Sequence, residues 1–475
     1  MASGMFRRKD ASAESVAHGT QQLARTLSWP HLVALGVGAI VGTGILTLIG
    51  VGADRAGPAV VLSFAVAGAI CACAALAYAE MATMMPVSGS AYTYSYAVLG
   101  EVIAWVVGWS LLAEYTLVVA TVAVGWSGYA TGFLTGMGIT LPDALTHGPT
   151  IVDGAVASWG VNVPALFILA VVSGLLMLGT KESATLNAVL VVIKMIALGV
   201  FVSVALPYFD AANMEPFSPF GFAKHAGADG VERGVMAAAA IIFFAFYGFD
   251  AISTAAEETK NPGRDLAIGI VGSMVACVVI YMIVAIAAVG ALSYTRFADS
   301  PEPLALILRE IGQGGAAAFL AGSAVIALPT VILAFLYGQS RIFFVMARDG
   351  LLPASLATVS RRGTPVRITL FTAAIVALFA GVLPIDAIAA LANAGTLVAF
   401  IAVSVCMLVL RRRSPDAVRP FRTPGAWGVG GFAILGCLYL FASLPSSTQL
   451  WFLGWNVVGL ALYLVGYSFR SRNER

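Results

Sequence analysis

Twelve long apolar runs dominate this sequence and limit the folds open to it. The chain has 475 residues, of which 60% are hydrophobic and 11% are charged, and one soluble core cannot bury so much apolar material. A helix of about 20 apolar residues crosses a bilayer core about 30 Å thick. We therefore predict an all-α integral membrane protein with twelve transmembrane helices, numbered spans 1 to 12, at about 31–51, 57–82, 99–124, 163–180, 184–206, 233–257, 266–292, 315–346, 367–384, 386–410, 427–444 and 448–469.

The distribution of Lys and Arg predicts the orientation of these spans. The first 28 residues are polar and lack the apolar region of a cleavable signal peptide, so we expect the amino terminus in the cytoplasm. Of the 26 Lys and Arg, only Lys194 then lies within a span, and the outer segments carry Arg55, Lys224, Arg233, Arg296 and Arg309. The remaining basic residues lie on cytoplasmic segments, which favours twelve spans with both termini inside.

The polar residues exclude several function classes. All five cysteines lie within apolar runs, and the four histidines lie in tails, in loops or at a span edge, so we predict no metal and no cofactor. The net charge of +2 reflects topology and predicts no nucleic acid partner. A receptor or channel would need a large soluble domain or a polar pore ring, and a membrane enzyme would need clustered His, Asp or Cys. The sequence shows none of these.

The glycines of span 1 predict an interrupted helix. The stretch GVGAIVGTGIL, residues 36–46, contains four glycines, and its GxxxG pair alone would favour close helix packing. The third close glycine of GTG, at 42–44, and a second glycine interruption in span 6, at 247–248, favour broken helices in corresponding positions of two halves. This predicts a 5+5 inverted repeat, the leucine-transporter fold.

The predicted organisation follows from that repeat. It comprises a cytoplasmic tail at 1–28, a first five-helix repeat at 29–210, a second repeat at 211–410, a basic linker at 411–426, two extra C-terminal helices at 427–469 and a tail at 470–475.

Broken helix ends predict a binding site for an α-amino acid. The helix that begins after Gly42 leaves backbone N–H groups free at its positive end, which suits a carboxylate. The carbonyls that end the preceding half-helix, and those at the break in span 6, suit an ammonium group. We predict Gly42 and Gly248 as hinges, and Phe246 as either a gate aromatic or an ordinary core residue. The predicted substrate contacts are Ile40, Val41, Thr43, Gly44, Ile45, Phe244, Ala245 and Tyr247.

Three ionisable residues within the spans are functional candidates, because charge is costly in the membrane. Lys194 of span 5 is predicted to gain and lose a proton and, when protonated, to bridge span 1 and the stretch GSAVIALPTVIL, residues 322–333, of span 8. The alternative is a static ion pair between Lys194 and Glu114 of span 3. Glu114 is that partner or a reader of the substrate side chain, and Asp250 is a candidate gate or proton-sensing acid.

Several long motifs resemble the amino acid–polyamine–organocation superfamily, specifically the bacterial members of its cationic amino acid transporter branch. The resemblance covers about residues 28 to 470. It is carried by GVGAIVGTGIL, YAEMATMMPVSGSAYTYSYAVLGE (78–101), GWSLLAEYTLVVATVAVGWSGY (108–129), FFAFYGFDAISTAAEETKNPGRDL (243–266), GQSRIFFVMARDGLLP (338–353) and RPFRTPG (419–425).

The resemblance implies an amino-acid symporter of the bacterial plasma membrane that works by alternating access, with an amino acid and a proton as its partners. It implies that Lys194 is the proton-linked lysine, Glu114 the acid of span 3 and Asp250 the acid after the span 6 glycine. An amino acid/amine exchanger is the alternative. Tyr247 departs from the pattern, which implies an aliphatic residue there, so cationic, small neutral and branched apolar substrates stay open. An accessory membrane helix also stays open.

Overall fold

The structure is a computed structural model that describes residues 8, 27–87, 89–152, 155–178, 183–227, 229–256, 259–352 and 366–473. Most of the predicted tail at 1–28 lies outside these residues. Within them, eight segments are long and apolar enough to cross a membrane: Leu48–Met84, Glu101–Gly136, Ala188–Tyr208, Val235–Thr254, Pro262–Ala291, Gly314–Leu336, Ile385–Arg413 and Ser446–Gly466. Four shorter apolar helices occupy spans 1, 4, 9 and 11: Trp29–Ile40, Val163–Met177, Thr369–Val382 and Ala426–Ala442. The twelvefold crossing therefore stays a prediction.

Within the described residues, span 1 is the only one of the first five spans whose helix is broken. The helices are Trp29–Ile40, Thr43–Leu46 and Leu48–Ala56 in span 1, Val60–Met84 in span 2, Glu101–Gly136 in span 3, Val163–Leu178 in span 4 and Ser183–Ala205 in span 5. A short helix, Ser90–Val98, connects spans 2 and 3.

The later spans include two further interruptions, in spans 6 and 8. Their helices are Val235–Ile242 and Asp250–Thr254 in span 6, Pro262–Ala291 in span 7, Gly314–Ala327 and Pro329–Arg348 in span 8, Val366–Val382 in span 9, Ile385–Arg413 in span 10, Ala426–Ala442 in span 11 and Ser446–Asn473 in span 12. A short helix, Pro303–Glu310, precedes span 8. Span 8 divides at Leu328 because Pro329 has no N–H to continue the first helix.

Two small antiparallel hairpins in the connecting segments were not predicted by the all-α interpretation. Thr150–Val152 pairs with Ala155–Ser158, and His225–Ala226 pairs with Glu232–Arg233.

Span 3 is longer than its hydropathy predicts. Its helix continues from the expected end near 124 to Gly136, through a stretch whose four glycines and three Ser or Thr residues lower the mean hydropathy. These residues serve packing: a Cβ on Gly125 would collide with the side chain of Thr43, and one on Gly128 would lie 2.8 Å from Pro301. Span 3 can therefore run close to the second half of span 1.

Span 6 lies at the centre of the molecule and is buried along its whole length. Its first half packs on spans 1 and 2, span 7 packs along spans 1 and 2, and span 3 packs on spans 8 and 10. Span 12 lies at the edge of this core, where Trp455 stacks on Trp109 of span 3 with the ring centroids 4.6 Å apart. Span 6 is thus enclosed by neighbouring spans.

The basic linker after span 10 is fixed to the end of span 2 by one buried carboxylate. Glu80, which is 1% exposed, accepts hydrogen bonds from Arg411 Nε and Nη2 at 2.8 and 2.6 Å. It also accepts the backbone N–H of Thr423 at 2.8 Å, and Arg419 Nε lies 3.2 Å from it. The linker therefore ties the last two helices to the core, beyond the topological role that its charge predicts.

Candidate functional site

The break in span 1 consists of Val41 and Gly42, which lie between two helical segments. The interruption begins one residue before the predicted 42–44. The first hydrogen bond of the following helix runs from the Leu46 N–H to the Gly42 carbonyl (3.2 Å), and Gly42 has no side chain to cap the helix. Helix geometry therefore leaves the N–H groups of Thr43, Gly44 and Ile45 without an intrahelical acceptor.

The break in span 6 lies directly beside the break in span 1. Tyr247 and Gly248 are non-helical, and Gly248 has φ +119°, a conformation that favours glycine. A Cβ on Gly248 would lie 3.0 Å from the carbonyl carbon of Ala39, and one on Gly44 would collide with Cα of Ala245. Because Ala39 lies against Gly248 and Gly44 lies against Ala245, the chain runs in opposite directions through the two breaks.

The carbonyls at the end of the first half of span 1 already have protein donors. Tyr281 of span 7 donates its hydroxyl to the Ile40 carbonyl at 2.8 Å, and Lys194 Nζ donates to the Val41 carbonyl at 3.1 Å. Each of these two carbonyls, which were predicted to be free for a substrate, therefore accepts one protein donor in the structure. At the span 6 break, the Phe243 carbonyl accepts the Phe246 N–H at 3.1 Å.

The other carbonyls at the span 6 break differ from that of Phe243, which has a backbone donor. Within the described residues, no backbone N–H donates to the carbonyls of Phe244, Ala245 or Tyr247.

Lys194 connects span 5 to both spans 1 and 8. Besides Val41, its Nζ donates to the Gly38 carbonyl at 3.0 Å and to Thr330 Oγ1 at 3.1 Å. The Thr330 hydroxyl itself donates to the Ala327 carbonyl at 2.6 Å, so its oxygen accepts from Lys194. A protonated lysine has three donors and no acceptor, which matches these three acceptors.

The two candidate carboxylates lie apart from Lys194. Asp250 is buried and uses Oδ1 to accept the Gly248 N–H at 3.0 Å and Oδ2 to accept the Tyr115 hydroxyl at 3.1 Å. Glu114 is fully buried, and neither of its carboxylate oxygens has a hydrogen-bond partner in the part of the chain that the structure describes. The alternative of a static pair between Lys194 and Glu114 is therefore wrong.

A cavity opens where the two breaks meet spans 3 and 8. Six of the predicted residues line it, namely Ile40, Gly42, Thr43, Gly44, Phe244 and Tyr247. The other lining residues are Ala39, Val118, Val122, Val331 and Phe335. No charged side chain is among these eleven, so the wall is apolar except for backbone groups and the hydroxyls of Thr43 and Tyr247.

Several predicted contacts do not line this cavity. Phe246 packs against Phe64 and Tyr281, with centroid distances of 6.0 and 5.2 Å, as its interpretation as a core residue predicts, and its gate role stays a prediction. Val41 lines a second cavity, which Lys194 also lines. Ala245 packs against Gly44, and Ile45 is buried in the core.

The sequence interpretation missed the apolar wall of the cavity. Val118 and Val122 follow Glu114 at i+4 and i+8, a spacing that places all three on one face of span 3. Val331 lies in the stretch 322–333 that was expected to face span 1. The i+4 and i+8 spacing from Glu114 could therefore have identified Val118 and Val122 as lining residues. Phe335 lies beyond the stretch 322–333, so that expectation did not include it.

Comparisons with known proteins agree with this architecture. The family model described as amino acid permease matches residues 27–467. The chain is 44% identical to the branched-chain amino acid permease BcaP of Bacillus subtilis (strain 168) and 38% identical to the methylthioribose transporter of the same organism, each over 98% of both chains. It is 36% identical to the vacuolar cationic amino acid transporter 4 of Arabidopsis thaliana, over 84% of this chain and 65% of that protein. Each of these relatives is named as a carrier of a small solute.

Proposed function

Because this chain belongs to the amino acid permease family of the amino acid–polyamine–organocation superfamily, we propose that it is a proton-coupled symporter of branched-chain amino acids. The observation that carries the substrate class is the apolar cavity wall, formed by side chains such as Val118, Val331 and Phe335 without a charged residue. A cationic side chain would lose its hydration there without gaining a counter-charge, which costs several kcal/mol. The 44% identical relative is named for branched-chain amino acids.

The zwitterionic part of the substrate would bind to backbone at the two breaks. The N–H groups of Thr43 and Gly44 carry the positive end of a helix dipole and line the cavity. The Thr43 hydroxyl is buried there without a partner in the described residues, and it can donate to the same carboxylate. The carbonyls of Phe244 and Tyr247 can accept from the substrate ammonium, because the carbonyls of Ile40 and Val41 already have donors.

Proton coupling would act through Lys194. Its three hydrogen bonds hold the unwound part of span 1 against span 8. A neutral amine has only two N–H donors, so loss of the proton leaves one of the three acceptors unpaired and weakens this link. Separation of spans 1 and 8 would then release the substrate on the other side of the membrane.

Two alternative functions are distinguished from this proposal by the binding and transport experiments described below. An amino acid exchanger needs substrate on both sides and no pH gradient. A methylthio sugar is a second candidate cargo, favoured by the 38% identical relative, since its methylthio group would also fit an apolar wall.

The first test is binding to the purified protein. Thermal stabilisation is measured with all twenty amino acids, several polyamines and methylthioribose, because a ligand that binds the folded state raises the apparent Tm. We expect leucine, isoleucine and valine to stabilise the protein. Stabilisation by basic amino acids alone would contradict the proposed substrate class.

The second test is transport in proteoliposomes. An inside-alkaline pH gradient should drive leucine accumulation into vesicles that contain no amino acid. Uptake that requires internal substrate and ignores the gradient would favour the exchanger.

A further inference from the structure

An acid lies one helical turn beyond the substrate cavity and is not part of its wall. Glu114 precedes the lining residues Val118 and Val122 on the same face of span 3, and four residues correspond to about 6 Å along a helix. Its carboxylate is fully buried and unpartnered within the described residues. Gly395 of span 10 packs on it, since a Cβ there would lie 3.0 Å from Glu114 Cβ.

The side chain of Tyr247 lies at this end of the cavity. Tyr247 lines the cavity, and its ring packs edge to face on Phe244 and Phe335, with the centroids 4.9 and 6.4 Å apart. The side chain of Thr396, which follows Gly395, interacts with both the Glu114 carboxylate and the Tyr247 hydroxyl. That hydroxyl is also buried without a hydrogen-bond partner among the described residues. The Glu114 carboxylate and the Tyr247 hydroxyl thus share one polar neighbour behind the apolar cavity wall.

We infer that Tyr247 determines the substrate class by closing the cavity before it reaches Glu114. With the ring in place, a substrate side chain meets only apolar groups and hydroxyls. With the ring removed, the cavity extends to a buried carboxylate, and a lysine or arginine side chain of sufficient length can pair with it. The inference rests on the proposed function, because it assumes that this cavity holds the amino-acid side chain.

The test measures direct binding of radiolabelled leucine and lysine to the purified full-length protein. Tyr247→Ala should bind lysine about tenfold more tightly than the unsubstituted protein does, which corresponds to about 1.4 kcal/mol. Tyr247→Phe removes the hydroxyl but keeps the ring, so it should gain no lysine binding. Tyr247→Ala combined with Glu114→Gln should lose the gain, because the counter-charge is gone.

Two results would overturn the inference. One is a folded Tyr247→Ala protein whose affinity for lysine equals that of the unsubstituted protein. The other is a gain in lysine affinity that survives Glu114→Gln. If Tyr247→Ala does not purify as a monodisperse protein, Tyr247→Leu, which shortens the side chain and keeps an apolar contact, is judged by the same results. Leucine binding to the unsubstituted protein tests the proposed function separately, so the two failures are distinguishable.

Discussion

Lys194 Nζ donates a hydrogen bond to the carbonyl oxygen of Val41 across 3.1 Å, at the point where span 1 ceases to be helical. This contact joins residues 153 positions apart in the chain and satisfies a backbone group that a broken helix exposes at membrane depth. The same ammonium reaches Thr330 of span 8. The protonation state of the Lys194 amine is thereby linked to the packing of spans 1, 5 and 8.

Lys194→Met should abolish uptake driven by a pH gradient and leave substrate binding or exchange measurable. Methionine fills a similar volume but donates no hydrogen bond, so the link to Gly38, Val41 and Thr330 is lost permanently. The measurement is radiolabelled leucine accumulation in proteoliposomes, with and without an inside-alkaline gradient. Lys224→Met, in the segment between spans 5 and 6 where Lys224 pairs with Glu232 at 3.2 Å, is the matched control and should keep gradient-driven uptake. Equal uptake by the two variants would remove Lys194 from the coupling mechanism.

Tyr281→Phe should lower the stability of the protein. The substitution removes the donor to the Ile40 carbonyl (2.8 Å) from a fully buried site, and an unpaired buried carbonyl costs about 1–3 kcal/mol. The apparent Tm in detergent, without substrate, reports the loss. Tyr439→Phe makes the same change on a half-exposed ring of span 11 and should leave the Tm nearly unchanged. Equal apparent Tm values for the two variants would show that the hydrogen bond from Tyr281 to the Ile40 carbonyl does not stabilise the folded protein.

Gly248→Ala should destabilise the break in span 6. Alanine at φ +119° is strained, at a cost of about 1–3 kcal/mol, and its Cβ would lie 3.0 Å from the Ala39 carbonyl carbon. Gly199→Ala is the control, since no heavy atom lies within 4 Å of a Cβ there and alanine favours the helix of span 5. We expect a lower apparent Tm and weaker leucine binding for Gly248→Ala only. Matching Tm values for the two variants would argue against strain at the break.

Glu80→Gln should loosen the linker that holds the last two helices. Removing one partner from a buried ion pair costs about 3–5 kcal/mol, and Arg411 and Arg419 would both lose their carboxylate. Asp386→Asn is the comparison, because Asp386 pairs with Arg55 at 3.4 Å and its side chain is 40% exposed, where such a pair contributes about 0–1 kcal/mol. The measurement is the apparent Tm of both variants and of the unsubstituted protein in the same detergent. A drop no larger for Glu80→Gln than for Asp386→Asn would contradict a stabilising role for the linker contacts.

The sequence by itself determined the helical character of the runs and the interruptions in spans 1 and 6, although not the one at Leu328 in span 8. Hydropathy is a property of consecutive residues, so each predicted run contains at least one helix in the structure. The absence of a Cβ at Gly42 and Gly248 is also local, and the interruptions occur at those residues. The cost of a buried charge likewise made Lys194 a functional candidate from the sequence alone.

Only the tertiary structure decided which groups at the breaks remain free and which way each ring faces. The Ile40 carbonyl is occupied by Tyr281, 241 positions along the chain, and the side chain of Phe246 turns toward span 2 and away from the cavity. Tyr247 lines the cavity, whereas Glu114, one helical turn before Val118, does not. Local conformation follows from the residue itself, but the partner of a polar group depends on which distant spans pack beside it.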